Sequence, residues 1–274
     1  MISIITAIHN GLAINKFYEA SLKKYTVNPF ELIIIDNVST DGSTEFFEKS
    51  GYTVIRNQHN YSYPFCQNQG IKIAKGDYLF FLNNDIVLGP RWDELLINIS
   101  RKKNLDILSA CDNGNVGDAK ISRHMRNKWK RIKYSVMQLG INQFSLNLMM
   151  KLMYGNWEKF CNKRYADFGD ETIRGIIGDN VMMTKRGIEI VGLWDERIQS
   201  ADFDLFMRVQ QKIEQGADIK PCQVALGVYI HHFSRMTVKY AAKPAPFIDE
   251  KNLIELKDKW TQAELEKYNP DNPA

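Results

Sequence analysis

Three oxygen-bearing side chains follow one of the most apolar runs of the chain. The run Tyr78–Leu82 is typical of a buried strand, and the next residues are Asn83, Asn84 and Asp85. Carboxylate and amide oxygens suit Mg²⁺ and Mn²⁺, and a diphosphate would add its own oxygens to a metal that the protein holds through one carboxylate. Asp85 is therefore the first candidate metal ligand. The structural alternative is a polar turn in which Asp85 helps to cap a helix that starts near Pro90.

Another carboxylate closes the apolar run Glu31–Asp36. At a strand end, Asp36 is placed to accept a hydrogen bond from the imide N–H of uracil or thymine, a donor that cytosine lacks there. In the turn that follows, Ser39 and Asp41 are candidate caps for the next helix, and we predict a structural role for Asp41.

Two groups later in the chain have side chains suited to proton transfer or metal binding. Asp202 and Asp204 open a predicted helix. Two interpretations of Asp202 stay open, a cap of that helix and a general base that projects into a cleft. His231 and His232 close a short strand at Val228–Ile230, and a histidine pair in this position is, taken alone, more often structural than a ligand.

Strands and helices alternate along the first half of the chain. Apolar runs bounded by turn residues predict strands at Ile2–Ile8, Glu31–Asp36, Tyr52–Arg56, Tyr78–Leu82 and Leu105–Cys111. Apolar residues three or four apart predict helices at Leu12–Tyr25, Ser43–Lys49, Pro64–Ala74 and Trp92–Lys102. This alternation favours an α/β fold with a mostly parallel wound sheet, in which ligands bind at the carboxyl ends of the strands.

The turn after the first strand argues against two classes of nucleotide-binding protein. Its residues are His9, Asn10 and Gly11, which do not form the G-x-G-x-x-G of a dinucleotide fold. They also lack the glycine-rich, basic phosphate loop that a sugar-nucleotide pyrophosphorylase needs.

Composition indicates an ordinary globular protein. The 274 residues are 44% hydrophobic and 25% charged, enough for one large core or two unequal ones. No apolar segment approaches the roughly 20 residues of a membrane span, and the chain opens on a strand rather than a leader, so we expect a soluble cytosolic protein. Four scattered cysteines predict neither a disulfide framework nor a zinc site.

The second half of the chain contains a basic segment. Between Asp118 and Glu158 there is no acidic residue, whereas eight lysines and arginines fall there. The segment is either a solvated helix face or an anion-binding surface toward an acceptor phosphate, a membrane or nucleic acid. We predict a helical insertion at about residues 118–165. After a linker at Lys243–Pro246, we predict one charged helix, Glu250–Tyr268.

Five blocks of the sequence, in order and spacing, resemble the family 2 glycosyltransferases of the GT-A fold, up to about Thr237. The blocks are residues 3–10, residues 35–43, Asn60 with residues 68–71, residues 76–85 and residues 178–196. They are similar to the family's first strand, its D-(D/N)-x-S-x-D-G-(S/T) signature, its N-x-G-I helix, its D-x-D block and its G-x-(F/W)-D-E run.

The resemblance implies a site and a cofactor. It implies a divalent metal, Mn²⁺ or Mg²⁺, on Asp85 and His232, and Asp202 as the catalytic base. The residues implied in donor binding are Thr6, Ala7, His9, Asn10, Asp36, Asn37, Asn60, Asn68, Asn83 and Asn84.

Two departures from the family pattern bear on this expectation. Asn83 stands for the first Asp of D-x-D, as in a rhamnosyltransferase-like subset, and Ala201 stands for the Glu before the base. Both substitutions leave open a catalytically degenerate module that binds a nucleotide sugar without turnover. Retention of Asp85, Asp202 and His232 favours the enzyme.

The resemblance therefore implies a metal-dependent, inverting hexosyltransferase of bacterial polysaccharide biosynthesis. Its donor is a UDP- or dTDP-sugar, and its acceptor is a hydroxyl of a glycan, a lipid-linked molecule or a protein. We predict a donor-binding half at residues 1–111, an acceptor-binding and catalytic half at residues 112–243, and a C-terminal extension at residues 244–274. The protein is expected in the cytoplasm, or peripherally at the inner face of the membrane through Lys120–Lys133, and nucleic acid is a disfavoured partner.

Overall fold

The computed structural model describes residues 1–234, 236 and 246–268. Within these residues, ten strands and eleven α-helices follow one another along the chain. The strands are β1 Ile2–Ile8, β2 Phe30–Asn37, β3 Thr53–Asn57, β4 Tyr78–Leu82, β5 Ile86–Val87, β6 Ile107–Cys111, β7 Thr172–Arg174, β8 Asn180–Thr184, β9 Gln223–Tyr229 and β10 His231–His232. The helices are α1 Leu12–Tyr25, α2 Ser43–Lys49, α3 Tyr63–Ile71, α4 Trp92–Lys103, α5 Ala119–Val136, α6 Gln143–Tyr154, α7 Trp157–Phe168, α8 Lys185–Val191, α9 Ala201–Glu214, α10 Leu256–Lys259 and α11 Gln262–Tyr268.

Eight strands form one sheet in the order β3-β2-β1-β4-β8-β6-β9-β7. Four of its seven pairings are parallel and three are antiparallel, so the predicted mostly parallel sheet is confirmed. The antiparallel strand β8 lies in the middle, between β4 and β6. Because β8 runs against its neighbours, the residue that precedes it lies at the edge where β4 and β6 end. Strands β5 and β10 form a separate antiparallel pair.

Both faces of the sheet are buried, as expected for strands that read as continuous apolar runs. Side chains such as Ile4, Phe80 and Leu108 face one core, and Ile5, Phe81 and Ile107 face the other. Alternation along each strand sends neighbouring residues to opposite cores, and helices cover both. Helix α1 begins and ends at the predicted residues, because its buried positions Ile14, Tyr18 and Leu22 recur four apart.

The segment predicted as a helical insertion, about residues 118–165, contains α5, α6 and most of α7. Trp129, Met149 and Met153 pack with Phe233 in a third core, so the methionines fill space in the interior. None of the helices in the described residues is both long and apolar enough to cross a membrane.

The C-terminal extension is helical, but the prediction of a single helix over Glu250–Tyr268 is wrong. The segment forms a 3₁₀ turn at Glu250–Asn252 and then α10 and α11. The interruption has a physical cause, because Ile254 pairs with Ile198 in a β-bridge and Trp260 takes an extended conformation with its ring buried. Residues 243–245 of the predicted linker, and Thr237, lie outside the described residues.

Candidate active site

A chain of buried acidic and basic groups lies where the central strands end. His232 Nδ1 is 2.7 Å from Asp179 Oδ2, and His232 Nε2 is 3.2 Å from Asp85 Oδ1. Asp85 follows β4, Asp179 precedes β8 and His232 belongs to β10. The backbone N–H of Asn83 donates to the carbonyl of Asp179 at 2.9 Å and fixes the two strand ends together. The structure thus brings together the predicted metal ligands Asp85 and His232, with Asp179 as a third member.

The two carboxylates determine the charge of His232. Burial alone would lower the pKa of His232, but the negative charges of Asp85 and Asp179 outweigh burial and hold that pKa well above its usual value. In the same way, burial opposes ionisation of Asp179, yet the charge and hydrogen bond of His232 hold the pKa of its carboxyl below the ordinary value. The two carboxylates thus favour the protonated form of His232, so a metal ion that binds this imidazole must displace a proton.

A further carboxylate, Asp112, lies beside this pair. Ligand atoms of Asp112, Asp179 and His232 all fall within 4.8 Å of one another. Burial, followed by the negative charge of Asp179, raises the pKa of Asp112 to about 7. A buried carboxyl that resists ionisation, as Asp112 does beside Asp179, is stabilised in its charged form by a cation, and carboxylate oxygens are the ligands that suit Mn²⁺ and Mg²⁺. The residues therefore fit a divalent metal.

Asp179 and His232 line a cavity of about 340 Å³. Its lining residues are Tyr63, Asn83, Gly178, Asp179, Gln199, Ala201, Asp202 and His232. Asp202 is half-buried, and burial raises the pKa of its carboxyl despite a backbone hydrogen bond from Phe203. Gly178 allows this placement, since a Cβ there would lie 2.3 Å from Asp202 Oδ2. The predicted base thus faces the same cavity as Asp179 and His232.

Asp204 occupies a different environment, although it is only two residues from Asp202. It is 0% exposed, its Oδ2 lies 2.8 Å from Arg208 Nε, and its Oδ1 lies 2.6 Å from Lys259 Nζ. Trp260 Nε1 also donates to Asp204 Oδ1 at 2.9 Å. Two residues of a helix differ by about 200° around its axis, so one carboxylate faces the cavity and the other faces the interior. Asp204 is a structural anion.

The residues after β1 and β2 form a connected turn. His9 Nδ1 lies 2.5 Å from the carbonyl of Asn37, and Asn10 Oδ1 accepts the N–H of Thr40 at 2.7 Å. Asp41 accepts the N–H groups of Gly11 and Leu12 at the start of α1, which agrees with its predicted structural role.

Several side chains predicted to bind a donor make protein contacts instead of facing open space. Asp36 is 4% exposed and its oxygens accept from Ser39 and Thr44. Further buried groups follow the same pattern: the Thr6 hydroxyl pairs with Tyr18, Asn37 donates to Tyr61, Asn84 donates to Asn15, and Asn68 bonds to Trp194 and Glu196. Asn60 is buried with its carbonyl bonded to Ile248, whereas Ala7, His9, Asn10 and Asn83 are partly exposed. Donor binding by these residues stays a prediction.

Sequence reasoning missed Asp112, Asp179, Tyr63 and Gln199. A signal existed for Asp112, because it directly follows the predicted strand that ends at Cys111. The rule that strand ends carry ligands would have selected it. Asp179 was missed because strand β8 was not predicted. Since β8 runs antiparallel to β4, the residue before β8, and not the residue after it, lies beside the end of β4.

Residues 3–189 match the family model described as glycosyl transferase family 2. An uncharacterized glycosyltransferase of Haemophilus influenzae is 32% identical over 110 residues, which cover 39% of this chain and 37% of that protein. The poly(ribitol-phosphate) beta-N-acetylglucosaminyltransferase TarP of Staphylococcus aureus is 32% identical over 113 residues, which cover 38% of this chain and 34% of TarP. The matches thus span about a third of the length of these relatives.

Solved structures share the fold at low sequence identity. GalNAc-T7 with UDP, GalNAc and Mn²⁺ has a TM-score of 0.63 and 16% identity, over 98% of this chain and 49% of that chain. The mannosyltransferase PcManGT of Pyrobaculum calidifontis, in complex with GDP-Man and Mn²⁺, has a TM-score of 0.50 and 12% identity, over 82% of this chain and 56% of that chain. The similarity shows that the sheet and helices are of the GT-A type.

Proposed function

Since the chain belongs to glycosyl transferase family 2, we propose that it transfers a sugar from a nucleoside diphosphate to a hydroxyl acceptor with inversion at the anomeric carbon. One observation carries the proposal: Asp202 and the group of Asp179 and His232 line the same cavity. A single displacement requires the general base and the site for the charged leaving group to lie in one cavity, on either side of the reacting carbon.

Asp179, His232 and Asp112 would hold a divalent metal, and Asp85 would orient or complete the set through its contact with His232. When bound, such a metal stabilises the negative charge of the leaving diphosphate. The chain's own carboxylates are held at this place by the ends of β4, β6 and β8, so the site is organised before substrate arrives.

Asp202 acts on the acceptor. The acceptor oxygen bonds to the anomeric carbon while the bond from that carbon to the diphosphate oxygen breaks, and Asp202 takes the hydroxyl proton. Burial raises the pKa of Asp202 from its usual value, which brings it closer to neutral pH and makes it a stronger base than an exposed aspartate. No covalent intermediate is required.

The donor is proposed to be a UDP- or dTDP-sugar. Asp36 lies at the end of β2, and although its oxygens already accept from Ser39 and Thr44, each carboxylate oxygen has a second lone pair for an imide N–H. GalNAc-T7 is seen with UDP and PcManGT with GDP-Man, so both pyrimidine and purine donors belong in any test. We propose that the chain belongs to the rhamnosyltransferase-like subset, and the sequence Asn83, Asn84 and Asp85 supports this proposal.

The acceptor is proposed to be a glycan, lipid-linked or protein hydroxyl near an anionic membrane. Helix α5 exposes Lys120, Arg123, Lys130 and Arg131 to solvent. On the adjacent α6, Phe144 is 69% exposed and Leu152 is 50% exposed. Exposed cations beside apolar side chains favour an interfacial position at the inner face of the membrane.

The test is release of nucleoside diphosphate from UDP-, dTDP- and GDP-sugars with Mn²⁺, with Mg²⁺ and with chelator. We expect metal-dependent release from one donor, and Asp202→Asn is the matched control that should bind this donor without turnover. Tight binding of nucleotide with no release in the presence of a range of acceptors would instead support the alternative, a degenerate binding module, which Asn83 and Ala201 favour.

A further inference from the structure

We propose that the C-terminal segment, residues 246–268, is a brace that positions both walls of the catalytic cavity through Asp249 and through Lys259 with Trp260. The inference rests on the proposed function. These residues lie beyond residues 3–189, which match the family model.

The first contact of the brace is with the wall that carries Tyr63. Asp249 accepts the backbone N–H of Ser62 at 3.1 Å and the Ser62 hydroxyl at 2.6 Å. Ser62 is the N-cap of α3 and makes no capping bond of its own, so Asp249 supplies a negative charge at the start of that helix. Tyr63 is the next residue and lines the cavity. The Ile248 N–H also donates to the Asn60 carbonyl at 2.8 Å.

The second contact is with the wall that carries Asp202. Lys259 Nζ lies 2.6 Å from Asp204 and 2.8 Å from Asp195, and the Trp260 ring is 4% exposed. Asp204 and Asp202 share the first turn of α9. Because Lys259 and Trp260 hold Asp204 in place, they also fix the position and rotation of the helical turn that carries Asp202.

The two contacts are too specific for a segment that only covers an apolar surface. Each ends on a polar group at a helix start, and each of those helices presents a cavity residue in its first turn. Between the two contacts, Ile254 pairs with Ile198 in the chain that leads to Gln199 and Ala201 of the lining. The brace thus connects the start of α3 with the start of α9, the two helices that carry Tyr63 and Asp202.

Amide exchange of the full chain tests the positioning without any substrate. Asp249→Ala should speed exchange at residues 60–64, and Lys259→Met should speed it at residues 200–205, each by about tenfold, with the other wall unchanged. Lys267→Met is the matched control, because Lys267 pairs with Glu214 at the far end of the same helix α9. Equal acceleration at both walls, or none beyond the control, would overturn the proposal.

Kinetics with the donor found by nucleotide release supply the second readout. Lys259→Met should lower kcat about tenfold with donor KM changed less than about twofold, since misplacement of a reacting group affects the transition state more than binding. Lys259→Arg should restore most of kcat. If the wild-type protein releases no nucleotide, the proposed function fails, while the exchange data still judge the brace. Unchanged kcat in both Lys259→Met and Asp249→Ala would refute a catalytic role of the brace.

Discussion

Asp202 and Asp204 both lie in the first turn of α9, but their replacement by asparagine should have different effects. We expect Asp202→Asn mainly to lower turnover and Asp204→Asn mainly to lower folding stability. Asp202 lines the cavity and Asp204 is 0% exposed between Arg208, Lys259 and Trp260. Asp202→Asn removes the proton acceptor, so turnover should fall about 10²–10⁴-fold. At a tenfold change per 1.36 kcal/mol, the loss is roughly 2.7–5.4 kcal/mol of transition-state stabilisation.

Folding stability should fall more in Asp204→Asn than in Asp202→Asn. Burial raises the pKa of Asp202, so the ionised carboxylate opposes folding once the pH exceeds its unfolded pKa, and a neutral amide should cost at most about 1 kcal/mol. Asp204→Asn leaves Arg208 without its counter-charge in the interior, which typically costs about 3–5 kcal/mol. Lys259 retains Asp195, so we expect the lower end of that range.

Urea unfolding and steady-state release of nucleoside diphosphate, measured on both variants, give the comparison. We expect Asp202→Asn to unfold like the wild type and turn over poorly. We expect Asp204→Asn to unfold at lower urea and to lose about tenfold in turnover, as Lys259→Met does, which is a smaller loss than that of Asp202→Asn. Near wild-type turnover by Asp202→Asn would refute the assignment of the base. A stability loss in Asp202→Asn as large as in Asp204→Asn would refute the claim that the two carboxylates face different environments.

Three further substitutions and one treatment with chelator test the same cavity. Gly178→Ala would place a Cβ 2.3 Å from Asp202 Oδ2, so turnover should drop about tenfold or more. Nucleotide binding, measured by calorimetry, should stay unchanged. Wild-type turnover in this variant would show that Asp202 can move away without loss of activity. Tyr63 Oη is buried with no hydrogen-bond partner in the described part of the chain, so Tyr63→Phe should not lower the urea midpoint, and a loss of about 1 kcal/mol would contradict this environment. Chelator should abolish nucleotide release, and Asp179→Asn should raise the Mn²⁺ concentration for half-activity about 10–100-fold, whereas an unchanged requirement would exclude Asp179 from the metal group.

The sequence predicted those features that depend on local pattern. Strand β1, strand β4 and helix α1 have the predicted bounds, because unbroken apolar runs and apolar residues four apart are direct consequences of burial. The convergence of Asp85 with His232 was also predicted, on the family motif.

Other features depend on contacts between distant parts of the chain and were not predictable. Strand β8 is central, yet its apolar residues Val181, Met182 and Met183 form a run too short to distinguish from a buried helix. The prediction of a single C-terminal helix was wrong because Ile254 pairs with Ile198, more than fifty positions away, and this pairing overrides the helical preference of the segment. The inward orientation of Asn68 and Asn84 likewise depends on partners that no local pattern identifies.

The position of β8 also determines when the sheet can be completed during synthesis of the chain. Strands β4 and β6 leave the ribosome long before residues 180–184, and each pairs with β8 rather than with the other. Until then one edge of β4 and both edges of β6 are unpaired, while α5, α6 and α7 are already synthesised. Open edges pair readily with other chains, so a product cut short before residue 180 should aggregate rather than survive as a separate donor-binding half. We therefore expect the strands of residues 1–111 to form a stable sheet only after β8 has been synthesised.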